Sequence, residues 1–410
     1  MTSFEKFGNP TPFTEPSWYQ GLPTPYYNET HVAYRAKCRA FVEKELMNQV
    51  GDWDESGTFP KDLLKKAYAA GVFGIWPKEY GGNGPENADI FHYIILNDEL
   101  CRTGSGGVSA AIWTPSSIAL PPVLAHGSEE MKREVATAVI RGEKSISLAL
   151  TEPWTGSDLA HIRTTARREG DYFIVNGAKK FITGAGYADW FTTAVRTGPD
   201  GGGMGGVSLL LIPRNTPGLT VRRMKTQGWW MSYTGYLTFD DVKVPVKNLI
   251  GKENHGFLPI MHNFNMERFG GIVMCVRFAR VCLEDASKYA ATRKTFGKTL
   301  NSHQAIRFKL VNMARRIEAL SSWMESAALQ YKLGVDPVVL GRTTALMKVH
   351  ATQTLEYCAR EASQVLGGNS YLRTGPGQRI ERIYREVRVV AIGGGSEEIL
   401  LDLAARMSKL

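Results

Sequence analysis

A multidomain α+β chain, helical at both ends and strand-rich in the middle, is predicted by two changes of hydrophobic period and one shift of composition. Apolar residues recur at helical spacing from Thr30 to Ile140, alternate from Ser145 to about Val246, and return to helical spacing after Gly256. Five prolines from Pro10 to Pro25 set the first segment apart. These transitions imply an extended arm at 1–29, a helical domain at 30–144, a β domain at 145–250 and a helical bundle at 251–410, segregated around a central sheet layer.

The arm's prolines forbid a regular helix, so it is expected to lie extended over the first domain. Helices are expected at Thr30–Val50, Lys61–Ala70, Ala88–Arg102, Gly107–Ala125 and Ser128–Ile140, with Ser128 as an N-cap followed by acids in the first turn. Ser145–Leu150 reads as a half-buried strand, and Val207–Ile212, Leu219–Met224 and Tyr236–Val244 as further strands. Tyr172–Val175 and Ala178–Thr183 flank Asn176-Gly177, the signature of a two-residue hairpin. On its second strand Phe181 and Thr183 share a face, because side chains two apart do. The glycine run 201–206 has no following Lys-Ser/Thr and opens no helix, so it reads as a hairpin tip and not a phosphate loop. Interruptions near 334–337, 367–377 and 393–395 divide the last helical region.

Chemistry concentrates where the first strand stops. Pro153 and Gly156 end it and leave Thr151, Thr155, Ser157 and Asp158 on a loop rich in hydroxyls and free backbone N–H groups. Thr151-Glu-Pro-x-x-Gly-Ser-Asp158, followed by Asn176-Gly-x-Lys-x-Phe-Ile-Thr183, resembles the acyl-CoA dehydrogenase family, flavoproteins that desaturate acyl thioesters. The resemblance continues through 239–245, 249–257, 293–304 and 364–369, and covers nearly the whole chain from about Tyr34. It implies the acyl-CoA dehydrogenase fold: an N-terminal helical domain, a middle β-barrel-like domain and a C-terminal four-helix bundle, assembled as a homodimer or homotetramer. It further implies FAD as cofactor, an acyl-CoA as substrate in fatty acid metabolism, and electron-transferring flavoprotein or O2 as acceptor.

In such enzymes a carboxylate takes the α-proton while the β-hydride leaves to the flavin, and the resemblance offers two places for it. One is a Glu immediately before a Gly-Thr or Gly-Ser turn near the C-terminus. The match here is Gly393 in Ile392-Gly-Gly-Gly-Ser396, which lacks the side chain but keeps the backbone N–H that polarises the thioester carbonyl. The other lies on the first long helix after the β domain, where isovaleryl- and long-chain-type members carry Glu-Arg, as Glu267-Arg268 does here. Read independently, Ile260, Phe264, Glu267, Gly271, Met274 and Phe278 form one stripe, so Glu267 interrupts an apolar face. A surface pair between Glu267 and Arg268 is disfavoured because neighbours on a helix point about 100° apart. Gly270-Gly271 inside this helix implies close approach of a ligand or another helix.

The resemblance assigns flavin contacts to Thr151, Gly156, Ser157, Phe181, Thr183, Gly395 and Glu397. Arg293, Phe296, Gln304, Gln364 and Gly368 are those lent to the cofactor of a neighbouring subunit, and substrate contacts fall to Ser157, Asn265 and Arg268. Ser396 is expected to be an N-cap whose glycine-rich approach leaves donors for a phosphate or ribose. The chain departs from the family pattern at Trp154, usually small, at Tyr233, usually acidic, and at Asn265, often Asp.

Composition is ordinary for a globular protein, with 43% hydrophobic and 22% charged residues. No apolar run approaches the ~20 residues of a membrane span. Cys38, Cys101, Cys275, Cys282 and Cys358 are odd in number and contain no Cys-x-x-Cys, which argues for reduced thiols and against a disulfide framework or a metal. The formal charge of +9 favours anionic ligands, coenzyme A among them. Arg379, Arg382, Arg385 and Arg388 interleave with Glu381 and Glu386 and read as a solvated or subunit-facing helix face, so no nucleic acid is expected. The competing functions are a flavin oxidase or oxygenase on the same fold, and a DNA-binding alkylation-response-type flavoprotein. The latter carries an extra basic C-terminal domain that the 410 residues do not include.

The chain ends Ser408-Lys409-Leu410, the receptor-read peroxisomal signal if the source is eukaryotic, and its start lacks an apolar signal core or an Arg-rich presequence. Removing these three residues from a fluorescently tagged protein is expected to move it from puncta to cytosol; an unchanged distribution refutes the address.

Overall fold

The computed structural model describes residues 2–199 and 202–409, so Leu410 of the expected targeting signal and Gly201 of the glycine run lie outside the described residues. The helices are α1 (Glu29–Phe41), α2 (Val50–Ser56), α3 (Leu63–Ala69), α4 (Ile90–Cys101), α5 (Gly106–Trp113), α6 (Pro121–His126), α7 (Glu129–Met131), α8 (Thr137–Ile140), α9 (Phe257–Thr292), α10 (Gln304–Lys332), α11 (Pro337–Leu366), α12 (Gln378–Ile392) and α13 (Glu397–Ser408). The strands are β1 (Ile146–Ala149), β2 (Thr165–Glu169), β3 (Tyr172–Ile182), β4 (Trp190–Arg196), β5 (Val207–Pro213), β6 (Leu219–Arg223), β7 (Gly235–Pro245), β8 (Leu249–Ile250), β9 (Lys294–Thr295) and β10 (Lys298–Thr299). Backbone packing groups the chain into two units. One holds the chain up to Gly51, Pro85–Gly106 and everything from Arg268; the other holds Asp52–Gly84 and Gly107–Glu267.

The second unit is built on a mixed sheet in the order β6-β7-β3-β2-β4-β5-β8, with β1 added in parallel to β4. β2 meets β4 at a single pair, Thr165 with Arg196, so two half-sheets fold toward each other. Alternation along β4 and β5 then sorts the core. Phe191, Val195, Leu210 and Ile212 join Phe173, Val175 and Phe239 between the half-sheets, whereas Ala194, Leu209 and Leu211 turn to the helical residues Leu120, Val123, Val135 and Val139.

Asn176-Gly177 does not form the expected hairpin. Both lie inside β3, a single eleven-residue strand, at a bulge against β7. Gly177 takes φ 143°, and a Cβ there would come within 2.7 Å of Thr164, while Asn176 exchanges two 2.9 Å hydrogen bonds with Asp241. The turn joining β2 to β3 is instead made at Gly170, φ 59°.

The apolar run is longer than expected. A continuous helix, Gly106–His126, is the one helix among the described residues long and apolar enough to cross a membrane, yet 72% of its most apolar stretch is buried inside the protein. Pro115 forces a π-turn at Thr114–Ala119, and the Ala119 carbonyl accepts from the Thr192 hydroxyl at 3.0 Å.

In the first unit the N-terminal arm is inserted, not laid over. Trp18 and Tyr19 are 1% exposed, and Glu15, 2% exposed, accepts from Arg277 at 2.8 Å and Arg39 at 3.1 Å. Burial alone would raise the Glu15 carboxyl, but the two guanidinium groups hold it at about 2. Arg277 also grips Asp98 through Nε at 2.9 Å and through Nη2, while Arg39 grips Glu99, which accepts from Tyr19 Oη at 2.9 Å. The helical region from Gly256 breaks once more than periodicity suggests: α9 stops at Thr292, and β9 and β10 pair around Phe296 (φ 49°) and Gly297 (φ 78°). Of the four arginines on α12, Arg388 alone is exposed, so they do not form the expected solvated face. Arg382 is buried, Arg379 is paired to Asp285, 94 residues earlier, and Arg385 pairs with Glu381.

His31, Asp89 and His92 bring ligand atoms within 4.8 Å of one another. Their lone pairs are committed to capping: His31 Nδ1 accepts from Asn28 N at 2.9 Å, His92 Nδ1 accepts from Asp89 N at 3.2 Å, and Lys332 Nζ is 2.7 Å from Asp89.

Arg277→Met leaves Asp98 buried without this partner and Glu15 with Arg39 alone, and is expected to lower unfolding free energy by ~3–5 kcal/mol in denaturant titration. Burial lowers the His31 pKa, with His92 and Lys332 adding to it against the Asp89 hydrogen bond. The unfolded chain therefore binds the proton more readily, so stability present above about pH 6.5 falls as pH drops below it. His31→Gln keeps the capping acceptor and is expected to flatten this slope between about pH 5 and 7.

Candidate active site

Within the second unit the Thr151 loop is wired to the end of β3. Lys179, fully buried, donates to Leu150 O at 3.0 Å and to Glu152 Oε1 at 2.8 Å, and Lys180 N donates to Thr151 O at 2.8 Å. Burial pushes the Lys179 ammonium down to about 8, against the pull of Glu152. Glu152, which burial alone would raise, lies below the usual carboxylate range because Lys179 and the N–H groups of Thr164 (2.9 Å) and Arg163 (2.6 Å) stabilise its charge. Trp154, at the first departure from the family pattern, donates its indole N–H to the same carboxylate at 2.5 Å.

That wiring brings Thr151 and Phe181 together. A bulge between Lys179 and Ile182 breaks the simple alternation, and Phe181 takes φ 62° with its ring 56% exposed and Lys180 Nζ 4.7 Å above it. Thr155 is satisfied by Asp158 O at 2.7 Å, whereas the hydroxyls of Thr151, Ser157 and Thr183 have no partner among the described residues. Gly156 is exposed, and a Cβ there would meet nothing nearer than Thr151 Cγ2 at 3.9 Å. Gly184 after Thr183 is required, since a Cβ would fall 2.8 Å from Ser147 Oγ at φ 78°. Tyr233 covers Gly186, whose added Cβ would lie 2.3 Å from the ring.

Glu267 ends the second unit and Arg268 begins the first, both on α9. Glu267 is half-buried, Asn265 and Arg268 are buried, and a Cβ at Gly271 would meet no described atom within 4 Å outside its own stretch of helix backbone. Arg268 Nε donates to Gly394 O at 2.9 Å. Gly393 is not the available donor: its N–H closes the last turn of α12 on Val389 O at 2.8 Å. The residue immediately before Gly395-Ser396 is Gly394, φ 69°, whose N–H has no acceptor among the described residues. Ser396 occupies the N-cap position of α13 without a side-chain cap bond. Glu397 accepts from Thr352 Oγ1 at 3.2 Å and Gln353 Nε2 at 3.0 Å.

Arg293, Phe296, Gln304, Gln364 and Gly368 are all exposed on the first unit, with Phe296 at 97%. Asn369 Nδ2 donates to Tyr289 Oη at 2.9 Å and so gathers the α9 end and the turn after α11. Lys179 stands in the quoted motif without a role assigned to it, and Lys348 is not singled out by the sequence at all. The signal for Lys179 was a charge inside an otherwise apolar strand; Lys348 carries none, because its partners are backbone carbonyls.

Three family models match the chain: acyl-CoA dehydrogenase N-terminal domain over 28–143, middle domain over 147–242 and C-terminal domain over 254–408. The chain is 41% identical to acyl-CoA dehydrogenase AFT10-1 of Alternaria alternata across 97% of its own length and 96% of that protein. It is 38% identical to acyl-CoA dehydrogenase apdG of Emericella nidulans, across 96% and 94%. The crystal structure of a probable acyl-CoA dehydrogenase from Mycobacterium abscessus superposes with a TM-score of 0.88 at 39% identity, covering 93% of this chain and 99% of that one. With three domain models in order and full-length relatives above 30% identity, the chain belongs to the acyl-CoA dehydrogenase family of FAD-dependent oxidoreductases.

Proposed function

We propose that this chain desaturates an acyl-CoA thioester between Cα and Cβ, with Glu267 as the base that takes the α-proton. The observation that carries this reading is the 2.9 Å bond from Arg268 Nε to Gly394 O. It ties the residue after Glu267 to the loop in which glycine stands where a carboxylate is usual. FAD, when bound, supplies the acceptor for the β-hydride.

The residues present fit that cofactor. Thr151, Ser157 and Thr183 offer uncommitted hydroxyls, and Phe181, held in a left-handed conformation with its ring bare, offers an aromatic face. Exposed Arg293, Phe296, Gln304, Gln364 and Gly368 support the reading that this chain lends donors to the cofactor of a second copy. Gly156, Gly395 and Glu397 shape their loops, the last through α11. On the substrate side, the Gly394 N–H donates to the thioester oxygen, which acidifies the α-carbon, and Glu267 receives the proton on a carboxylate oxygen. Asn265 and Ser157 are read as contacts to the rest of the acyl-CoA. Open space at Gly271, with no side chain on 393–395, leaves room for a bulky acyl group.

Glu267→Gln is expected to keep FAD, seen in the visible spectrum, and to slow acyl-CoA-driven bleaching of that spectrum by at least ~10²-fold. Bleaching at the normal rate across a panel of acyl-CoAs would place the base elsewhere.

A further inference from the structure

We propose that Lys348 is a positioning residue for this reaction, holding the glycine loop so that its amide donor stays presented to the thioester oxygen. The inference rests on the reading above that the loop N–H polarises the thioester.

Lys348 is 2% exposed on α11, and its Nζ donates to Ala391 O at 2.9 Å and Gly395 O at 2.8 Å. The first of these belongs to the last turn of α12, whose carbonyls lack intrahelical partners and favour a cation. The second lies beyond three consecutive glycines, two of them at φ 69° and 110°. Lys348 thus spans the loop's entry and exit, while Arg268 holds its middle at Gly394.

Such a loop needs an external hold. Glycine gives up the most conformational freedom on ordering, so three in a row would leave the Gly394 N–H wandering over directions that catalysis cannot use. One turn along α11, Thr352 stands on the same face as Lys348 and, with Gln353, takes both oxygens of Glu397 in the first turn of α13. One helix therefore holds the loop on both flanks. Packing does not explain the choice of residue. Methionine would fill the same space without the cost of burying an ammonium, whereas the charged donor makes the stronger bond to a carbonyl.

The test compares Lys348→Met with Glu267→Gln, both as FAD-loaded enzyme. The readouts are kcat, KM and exchange of the α-proton of a bound acyl-CoA with deuterated water, followed by mass spectrometry with flavin reduction blocked by prior reduction. In Lys348→Met we expect kcat and exchange to fall together by ~10- to 10²-fold with KM nearly unchanged, because misplacing a donor by about 1 Å has effects of that size. Lys348→Gln, which keeps a neutral donor, is expected to lie between. Exchange and kcat within about twofold of the parent in a folded Lys348→Met enzyme would overturn the positioning role while leaving the base intact. If Lys348→Met does not retain FAD, Lys348→Gln is read by the same criterion, and loss of the fold in both overturns a role confined to the loop. Unchanged exchange in Glu267→Gln would instead defeat the reading on which the proposal rests.

Discussion

Arg277 is the constraint from which the first unit hangs. A guanidinium 1% exposed must find carboxylates, and its planar fork accepts them in one orientation only: Asp98 of α4 on one edge, Glu15 of the arm on the other. The roll of α9 is thereby fixed, since turning the helix would strand three buried charges. Ten residues earlier, about 15 Å along the same axis, stands Glu267, whose direction on α9 follows from that roll. The arm is part of the arrangement, because Glu15 is one of the two carboxylates that make the position tolerable. A segment that reads as loose from its prolines is therefore a structural member, and its charge matters more than its conformation.

The legibility of the sequence follows from the range of each interaction. Hydrophobic period is local, so the helices around 30–140, the strands at 207–213, 219–223 and 235–245, and the long helices after 256 could be read from it. Gly177 could not, because the reason for glycine is Thr164 lying across from it, and the same dipeptide serves a hairpin or a bulge. The arginines of α12 misled for a similar reason: their spacing suggests an exposed row, and Asp285, which draws Arg379 inward, is far away in the chain. Phe296-Gly297 breaks the helical region in two residues, too few to disturb a period.

The candidate side chains can be named from the sequence, whereas the backbone donor proposed with them stands one residue from the expected Gly393. Thr151, Phe181, Thr183 and Glu267-Arg268 stand in motifs whose residue types announce their chemistry. A backbone N–H carries no such label, and in a run of three glycines only the hydrogen bonds distinguish members. Gly393 spends its N–H on Val389 O to finish α12, so the donor proposed for the thioester is that of Gly394. Lys348 is hidden for the same reason, since its bonds to the Ala391 and Gly395 carbonyls leave no mark in the residue types around them.

The net charge acquires a different meaning from this wiring. Many cations end on the chain's own carbonyls: Lys179 on Leu150, Arg196 on Ile162 and Gly203, Arg268 on Gly394, Lys348 on Ala391 and Gly395. A cation placed on a carbonyl needs no acid beside it, so such contacts, Lys179 with its Glu152 partner excepted, can add to the +9 without adding to the surface. These carbonyls lie at strand ends, in loops and at a helix C-terminus, where no ladder or turn supplies a donor. A neutral donor would satisfy them; a charged one binds about twice as strongly and leaves a fixed positive field behind. Where the carbonyl belongs to the glycine loop, the charge sits on the Ala391 and Gly395 oxygens, on peptide units either side of the one that carries the Gly394 N–H. Holding the loop through these neighbouring carbonyls leaves the Gly394 N–H with no acceptor among the described residues, which is what a preorganised donor, as proposed for this loop, requires.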